Sequence, residues 1–232
     1  MNPKQLEGAQ REVALKGYLV LAGLFVASLV ACNLIFRKFF AWEFMGYEFQ
    51  QSVGLLPYPL TFLVTDLISE IYGKRRANHV VVAGLVASVA TLGMVTLAGA
   101  VPATDWSPVD NVAFDHVFGQ TALAVGASMA AYLLAQSLDV QIFHFWKGLT
   151  KGKHLWLRNN LSTIPSQVID TATVLALLCA VGEISWTQFG VLFLNGVAFK
   201  SLVALVDTPF VYAGVGLMRR RLGLEEGQEV AF

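Results

Sequence analysis

The chain has 232 residues, of which 56% are hydrophobic and only 14% charged, and its mean hydropathy is +0.60. A soluble domain carries about 25% charged residues, so lipid is read as the main solvent. Sixteen basic residues balance sixteen acidic ones, which excludes the basic footprint of a nucleic-acid binder.

Taken in chain order, residues 1–17 (MNPKQLEGAQREVALKG) are polar and mixed in charge. No short apolar core with a small-residue cleavage site follows, so no removable leader is expected. Six stretches can then supply the roughly 20 apolar residues that hydrocarbon requires: 18–36, 53–72, 80–100, 118–146, 161–181 and 186–217. The expected fold is an all-α integral membrane protein. A bundle of six transmembrane helices over 18–217 lies between a cytoplasmic N-terminal tail (1–17) and a cytoplasmic C-terminal tail (218–232). The aromatic segment 39–49, with a glycine near its centre, reads as a short hairpin or surface-lying loop, or as a lid over a substrate path. The second span opens on Pro57 and Pro59, which predicts an irregular first turn buried in protein or facing water. The fourth and sixth spans are long enough to tilt or project.

The basic residues sort by connection. Lys4, Arg11 and Lys16 precede the first span, and Arg37 and Lys38 follow it. Lys74, Arg75 and Arg76 follow the second; the third connection holds Asp105, Asp110 and Asp115 but no Lys or Arg. Lys147, Lys151, Lys153 and Arg158 follow the fourth, none follows the fifth, and Arg219, Arg220 and Arg221 close the sixth. Alternate connections thus hold thirteen against two. Cytoplasmic loops retain Lys and Arg, so both termini are expected in the cytoplasm, with an even number of spans. Trp42, Trp106, Trp146, Trp156 and Trp186 sit near span ends, as interfacial anchors do.

Ionisable groups inside apolar spans are costly, which makes each a functional candidate. Asp66 and Glu70 share one face of the second span, Gln136 and Asp139 one face of the fourth, and Gln167 and Asp170 one face of the fifth. The sixth carries Asn195, Lys200 and Asp207, and the first carries Asn33. On the expected topology Asp170 and Lys200 fall near the midplane. Asp66, Gln136, Asp139, Gln167 and Asp207 fall slightly to the cytoplasmic side, and Asn33 near an outer entrance. Polar groups from four helices at one depth are what a transporter cavity requires. Five carboxylates facing one lysine cannot all be ionised there; protons, Lys200 or donors on a ligand must offset them. A cation or a ligand rich in N–H groups fits.

Structural readings stand beside these. Asp66 and Glu70 would pair with Lys74 or Arg75 at the inner interface. Gln136 and Gln167 would be interhelical hydrogen-bond glue. Asp207, before Thr208 and Pro209, would mark a kink or gate, and Lys200 would snorkel. Cys32 and Cys179 lie in apolar runs and read as buried thiols. The four histidines do not cluster, so no metal site is expected. No phosphate loop, HExxH or nucleophile elbow is present, and Asp66 and Asp170 lack the surroundings of an intramembrane aspartyl protease. Neither enzymatic activity nor a cofactor is expected. AQSLDV at 135–140 and SQVIDT at 166–171 form a weak internal echo that would set similar amides and carboxylates on both sides of a cavity.

The run Pro59 to Ala77, PLTFLVTDLISEIYGKRRA, resembles the signature of the queuosine precursor transporter family, the vitamin-uptake-like integral membrane transporters. AQSLDVQIF at 135–143, GKHLWLRNNLSTIPSQVIDT at 152–171, and Lys200 with Thr208-Pro209 resemble further motifs of that family. The resemblance implies a bacterial inner-membrane importer of 7-cyano-7-deazaguanine, its aminomethyl relative or queuine. On that reading Asp66, Asp139 or Asp170 accepts from the guanine-like edge. Gln136, Gln167 and Asn33 bond the other polar edges, Lys200 balances a carboxylate, and Glu70 carries a proton or partners a gate. Tyr58, Phe62 and Phe143 are the expected stacking residues. The alternative is a substrate-binding subunit of an ATPase-energised vitamin or purine uptake system. A homodimer is compatible with a bundle this small.

Overall fold

A computed structural model of the protein describes residues 3–36, 38–44, 46–119, 122–182 and 184–231. Arg37, one of the two basic residues expected after the first span, and Met45 of the aromatic segment lie outside the described residues.

The chain begins with a short strand, β1 (Lys4–Gln5), and a long helix, α1 (Gly8–Ile35). Strands β2 (Phe39–Phe44) and β3 (Tyr47–Ser52) form an antiparallel hairpin with Phe39 opposite Ser52 and Phe44 opposite Tyr47. A 3₁₀ turn (Val53–Leu55) leads into α2 (Tyr58–Tyr72), followed by α3 (Lys74–Gly99), a short α4 (Asn111–Phe118), α5 (Ala122–Leu149), α6 (Leu155–Ala180) and α7 (Trp186–Leu222). Strand β4 (Val230–Ala231) returns to pair with β1 in parallel. One end of the bundle therefore carries this terminal ribbon and the other the hairpin.

Among the described residues, α1, α3, α6 and α7 are long and apolar enough to cross a membrane. α2, with 15 residues, and α5, with 28, complete the bundle. Burial is arranged for lipid rather than water. Val82, Val86, Val89, Met94 and Leu97 of α3 are exposed, whereas Asp66, Glu70, Gln136, Asp139, Arg158 and Asp170 are buried. An apolar exterior around a polar interior suits a surface facing hydrocarbon.

Several helices run past the spans read from hydropathy. α1 starts at Gly8 rather than near residue 18, because Gln10, Arg11, Glu12 and Lys16 are good helix formers and Lys16 pairs with Glu12 one turn away at 2.7 Å. Hydropathy finds the hydrocarbon-embedded part of a helix and not its end. Part of the connection 101–117 is also helical: the Asp110 side chain accepts from the Ala113 N–H at 2.7 Å and caps α4.

The aromatic segment is a hairpin, with Gly46 at φ +79° in its turn. Pro57 and Pro59 sit at the very start of α2, where a missing N–H costs no helical bond. The irregularity lies just upstream, in the 3₁₀ turn, where Ser52 Oγ donates to the Phe36 carbonyl and accepts from the Gly54 N–H. α1 and α3 approach closely at Gly84: a Cβ there would lie 2.6 Å from the Phe25 ring and 2.9 Å from Leu29. Small residues permit such approach between membrane helices. Gly84→Val is expected to cost roughly 1–3 kcal/mol by overpacking, read as a lowered melting temperature in detergent.

Candidate functional site

The bundle interior is organised in three layers between the hairpin end and the terminal ribbon. The outermost is a cavity of about 190 Å³. At roughly 10–15 Å³ per water-sized position, it holds on the order of a dozen, room for a small bicyclic heterocycle. Phe39, Gln51 and Ser52 of the hairpin form one wall, so the aromatic segment reaches the cavity through Phe39. Asn33, Tyr58 and Tyr132 line it further in, and Asp170 and Lys200 close its floor.

That floor is an ion pair. Lys200 Nζ donates to Asp170 Oδ2 at 2.7 Å and sits 4.5 Å from the centroid of the Tyr58 ring. The ammonium is held by a carboxylate and an aromatic face together, so Lys200 stays in the bundle rather than snorkelling. Asn33 Nδ2 donates to Ser88 Oγ at 3.2 Å. The buried Gln51 Nε2 and Tyr132 hydroxyl, both on the cavity wall, have no hydrogen-bond partner among the described residues. Neither is a charged group inside an apolar span, the feature that marks Asp170 and Lys200. Tyr132 had a signal, because it lies one turn before Gln136 on the same helical face; Gln51 is an ordinary strand glutamine until the hairpin is known.

The middle layer is dry and polar. α6 presents Asn159, Ser162, Thr163, Ser166, Gln167 and Asp170 along one buried stripe, the spacing of a single helix face. Against it lie Asp66 of α2 and Gln136 and Asp139 of α5. Gln136 Nε2 donates to Thr65 Oγ1 at 2.7 Å, and Ser166 Oγ donates to Asp139 Oδ1 at 3.1 Å. The Asp66 and Asp139 carboxyls lie against each other. A small void of about 10 Å³, enough for roughly one water, joins this layer to the cavity floor. Tyr58, Phe62, Thr163, Gln167, Lys200 and Asp207 line it. Phe62 packs on Tyr58 at 5.4 Å between ring centroids.

The innermost layer is built on Glu70, which is fully buried. Arg219 Nη2 donates to Glu70 Oε1 at 2.5 Å, Arg158 Nη2 lies 2.6 Å from the same oxygen, and Lys147 Nζ is 3.4 Å from Oε2. Lys147 also meets Glu229 Oε1 at 2.9 Å. Glu70 does not pair with Lys74 or Arg75: Gly73, at φ +82°, breaks the chain between α2 and α3, and Lys74 and Arg75 leave on α3 exposed. Phe143 belongs to this inner layer and not to the cavity wall; the Arg158 guanidinium lies 5.7 Å from its ring centroid. Pro209 lies inside α7, which continues through it to Leu222. Beside it Thr208 accepts from Asn160 Nδ2 at 2.9 Å.

The structure therefore brings Asn33, Tyr58, Asp170 and Lys200 to one cavity. It stacks Asp66, Gln136, Asp139 and Gln167 beneath them, with Asp207 at the side, and sets Glu70 and Phe143 in the layer nearest the terminal ribbon. Among the described residues no cluster of His, Cys, Asp and Glu is arranged to hold a metal.

Residues 52–214 match a family described as "Putative vitamin uptake transporter". A "Probable queuosine precursor transporter" of Bacillus subtilis (strain 168) is 28% identical over 165 residues, 70% of either chain. A "Queuosine precursor transporter" of Escherichia coli (strain K12) is 29% identical over 123 residues, 53% of this chain and 52% of that one. The match therefore spans about half the length of this second relative. No solved structure matches.

Proposed function

The chain belongs to the vitamin uptake transporter family as a multi-pass bacterial membrane protein, and on that premise we propose that it imports 7-deazaguanine precursors of queuosine across the inner membrane. Six helices cross the bilayer (α1, α2, α3, α5, α6 and α7). The terminal ribbon lies in the cytoplasm and the hairpin faces outward. The observation that carries the reading is the cavity floored by Asp170 and Lys200 beneath Tyr58.

A 7-deazaguanine presents N1–H and an exocyclic amine on one edge and a carbonyl oxygen beside them. Asp170 accepts from the two donors, and Lys200, already within 2.7 Å of it, donates to the carbonyl. Tyr58 and Tyr132, in edge contact with each other at 6.3 Å between centroids, form one aromatic wall beside the ring; Asn33 and Gln51 meet its substituent. The ligand enters on the hairpin side while the Glu70 layer keeps the opposite side shut, as alternating access requires.

The test is rescue of queuosine in tRNA in a host that neither synthesises nor imports the precursors, fed 7-cyano-7-deazaguanine, the aminomethyl form or queuine in turn. Rescue by at least one is expected. Uptake by the purified protein alone in liposomes excludes the rival reading of a subunit dependent on an ATPase. Failure with all three, in a correctly inserted protein, overturns the assignment.

A further inference from the structure

We propose that the Asp66–Asp139 pair is a proton-binding site that couples import to the inward movement of one proton. The proposal rests on the importer reading above and adds its driving force.

Charge balance around the buried acids carries the argument. Glu70 is surrounded by Arg158, Arg219 and Lys147, and Asp170 holds Lys200. Asp66 and Asp139 are 2% and 0% exposed, and among the described residues neither has an ion-pair partner. The donors around the pair are neutral hydroxyls: Ser162, Thr163 and Ser166 lie beside Asp139, and Ser162 and Ser166 are shared with backbone carbonyls. The single hydroxyl proton of Ser166 has three acceptors in reach: the Ser162 and Thr163 carbonyls at 2.8 and 2.9 Å, and Asp139 Oδ1 at 3.1 Å. Thr163 Oγ1 is 3.5 Å from Asp66 Oδ2, at the limit of a hydrogen bond. Asp66 Oδ1 and Asp139 Oδ2 have no hydrogen-bond partner among the described residues.

An amide adds an independent deficit. Gln136, fully buried, points into the same seam between α2 and α5. It spends its nitrogen on Thr65 and leaves Oε1 without a donor. Two carboxylates that meet only neutral hydroxyls, beside an unmatched carbonyl, are costly in a layer this tightly packed. The missing ligand is a positive charge. Neither the outer cavity nor the small void reaches the two carboxyls, which suits a proton better than a metal cation that needs about six oxygens around it.

The surroundings do not supply that charge. α7 brings Asp207, another acid, toward Asp66, and its Lys200 and Arg219 are held by Asp170 and Glu70. α2 brings Glu70, one turn away, another acid that is paired with Arg158, Arg219 and Lys147. α5 brings Tyr132 and Lys147, each two turns from Asp139, and α6 brings Asp170 and Arg158, both paired. The charged residues of α1 and α3 lie only in their turns nearest the terminal ribbon; Cys32 of α1 faces the cavity.

A route leads in. Tyr58 and Lys200 line both the cavity and the small void, and the void also touches Asp207 and Thr163, whose hydroxyl reaches Asp66. A proton from outer water binds one carboxyl oxygen, closing an O–H···O bond between the two acids. It leaves to inner water once the Glu70 layer opens, so the only covalent change is the O–H bond made and broken. Without it the two carboxylates face each other unbalanced, and the empty bundle does not turn over.

The test uses the full chain in liposomes with labelled 7-cyano-7-deazaguanine and a pH gradient alkaline inside. One proton per substrate supports up to about tenfold accumulation per pH unit. The native protein is expected to approach that ratio and to respond to no sodium gradient. Asp66→Asn and Asp139→Asn should not accumulate, and their residual exchange should be insensitive to pH. Exchange by the native protein that ignores the pH gradient, or accumulation driven by sodium, overturns proton coupling while leaving the importer reading intact. Absence of native exchange of this substrate, and of the aminomethyl form and queuine offered in turn, overturns the importer reading instead. Infrared spectroscopy decides the proton site in that event. A protonated-carboxyl band at neutral pH, lost in both variants, is expected; its absence from the native protein overturns the site.

Discussion

Replacing Glu70 with glutamine is expected to destabilise the bundle by roughly 3–5 kcal/mol, the cost of breaking a buried ion pair from one side. The substitution keeps the side chain's shape but removes the charge to which Arg158, Arg219 and Lys147 converge. Arg158 is the critical partner. It is fully buried, and its Nη1 is committed to the Gly152 and Lys153 carbonyls, so it cannot swing out to water. A melting curve in detergent should show a large drop for Glu70→Gln. A smaller one is expected for Arg219→Met, because Arg219 is partly exposed and leaves Glu70 two other cations. Equal melting temperatures for native and Glu70→Gln protein would show that the cations find other partners. On the proposed orientation the same variant should leak in a liposome flux assay, since the layer proposed to shut the inner side is weakened.

The second large effect concerns the cavity floor. Lys200→Met leaves Asp170 without its cation, and Asp170→Asn leaves Lys200 held only by the Tyr58 ring. Each single change should reduce uptake by two to three orders of magnitude, about the cost of one uncompensated buried charge at roughly 1.4 kcal/mol per tenfold. The double variant Asp170→Asn/Lys200→Met separates structure from function. With both charges gone, its melting temperature should recover toward the native value while uptake stays lost, because the groups that meet the ligand are missing. Transport by the double variant would show that the pair only braces the bundle.

Parts of this organisation were legible in the sequence. Asp66, Asp139, Asp170 and Lys200 stood out because charge within apolar runs is costly, and their helical spacing placed them on inward faces. The partners of Glu70 were not legible, because they come from α5, α6 and α7, up to 149 positions away, whereas Lys74 and Arg75 stand close by in sequence. What separates them is one left-handed glycine, Gly73. Phe143 looked like a stacking residue because it shares a face with Gln136 and Asp139. Its depth, set by the packing of Arg158, puts it below the cavity. The contribution of Gln51 depends on how β3 packs against α7, which no local pattern encodes. Helix ends are invisible to hydropathy wherever polar helix formers extend a span beyond the hydrocarbon.

The ribbon of β1 and β4 imposes an order of assembly. Lys4 bonds the carbonyl of Leu222, 218 positions away, and its neighbour Gln5 stands beside Ala231. Closing a loop that long carries an entropic cost that the early, local helix pairs do not share. Every membrane helix must be in place before these strands meet, so the ribbon forms late. Being small and peripheral, it should also open early, its amides exchanging ahead of those in the helices it joins.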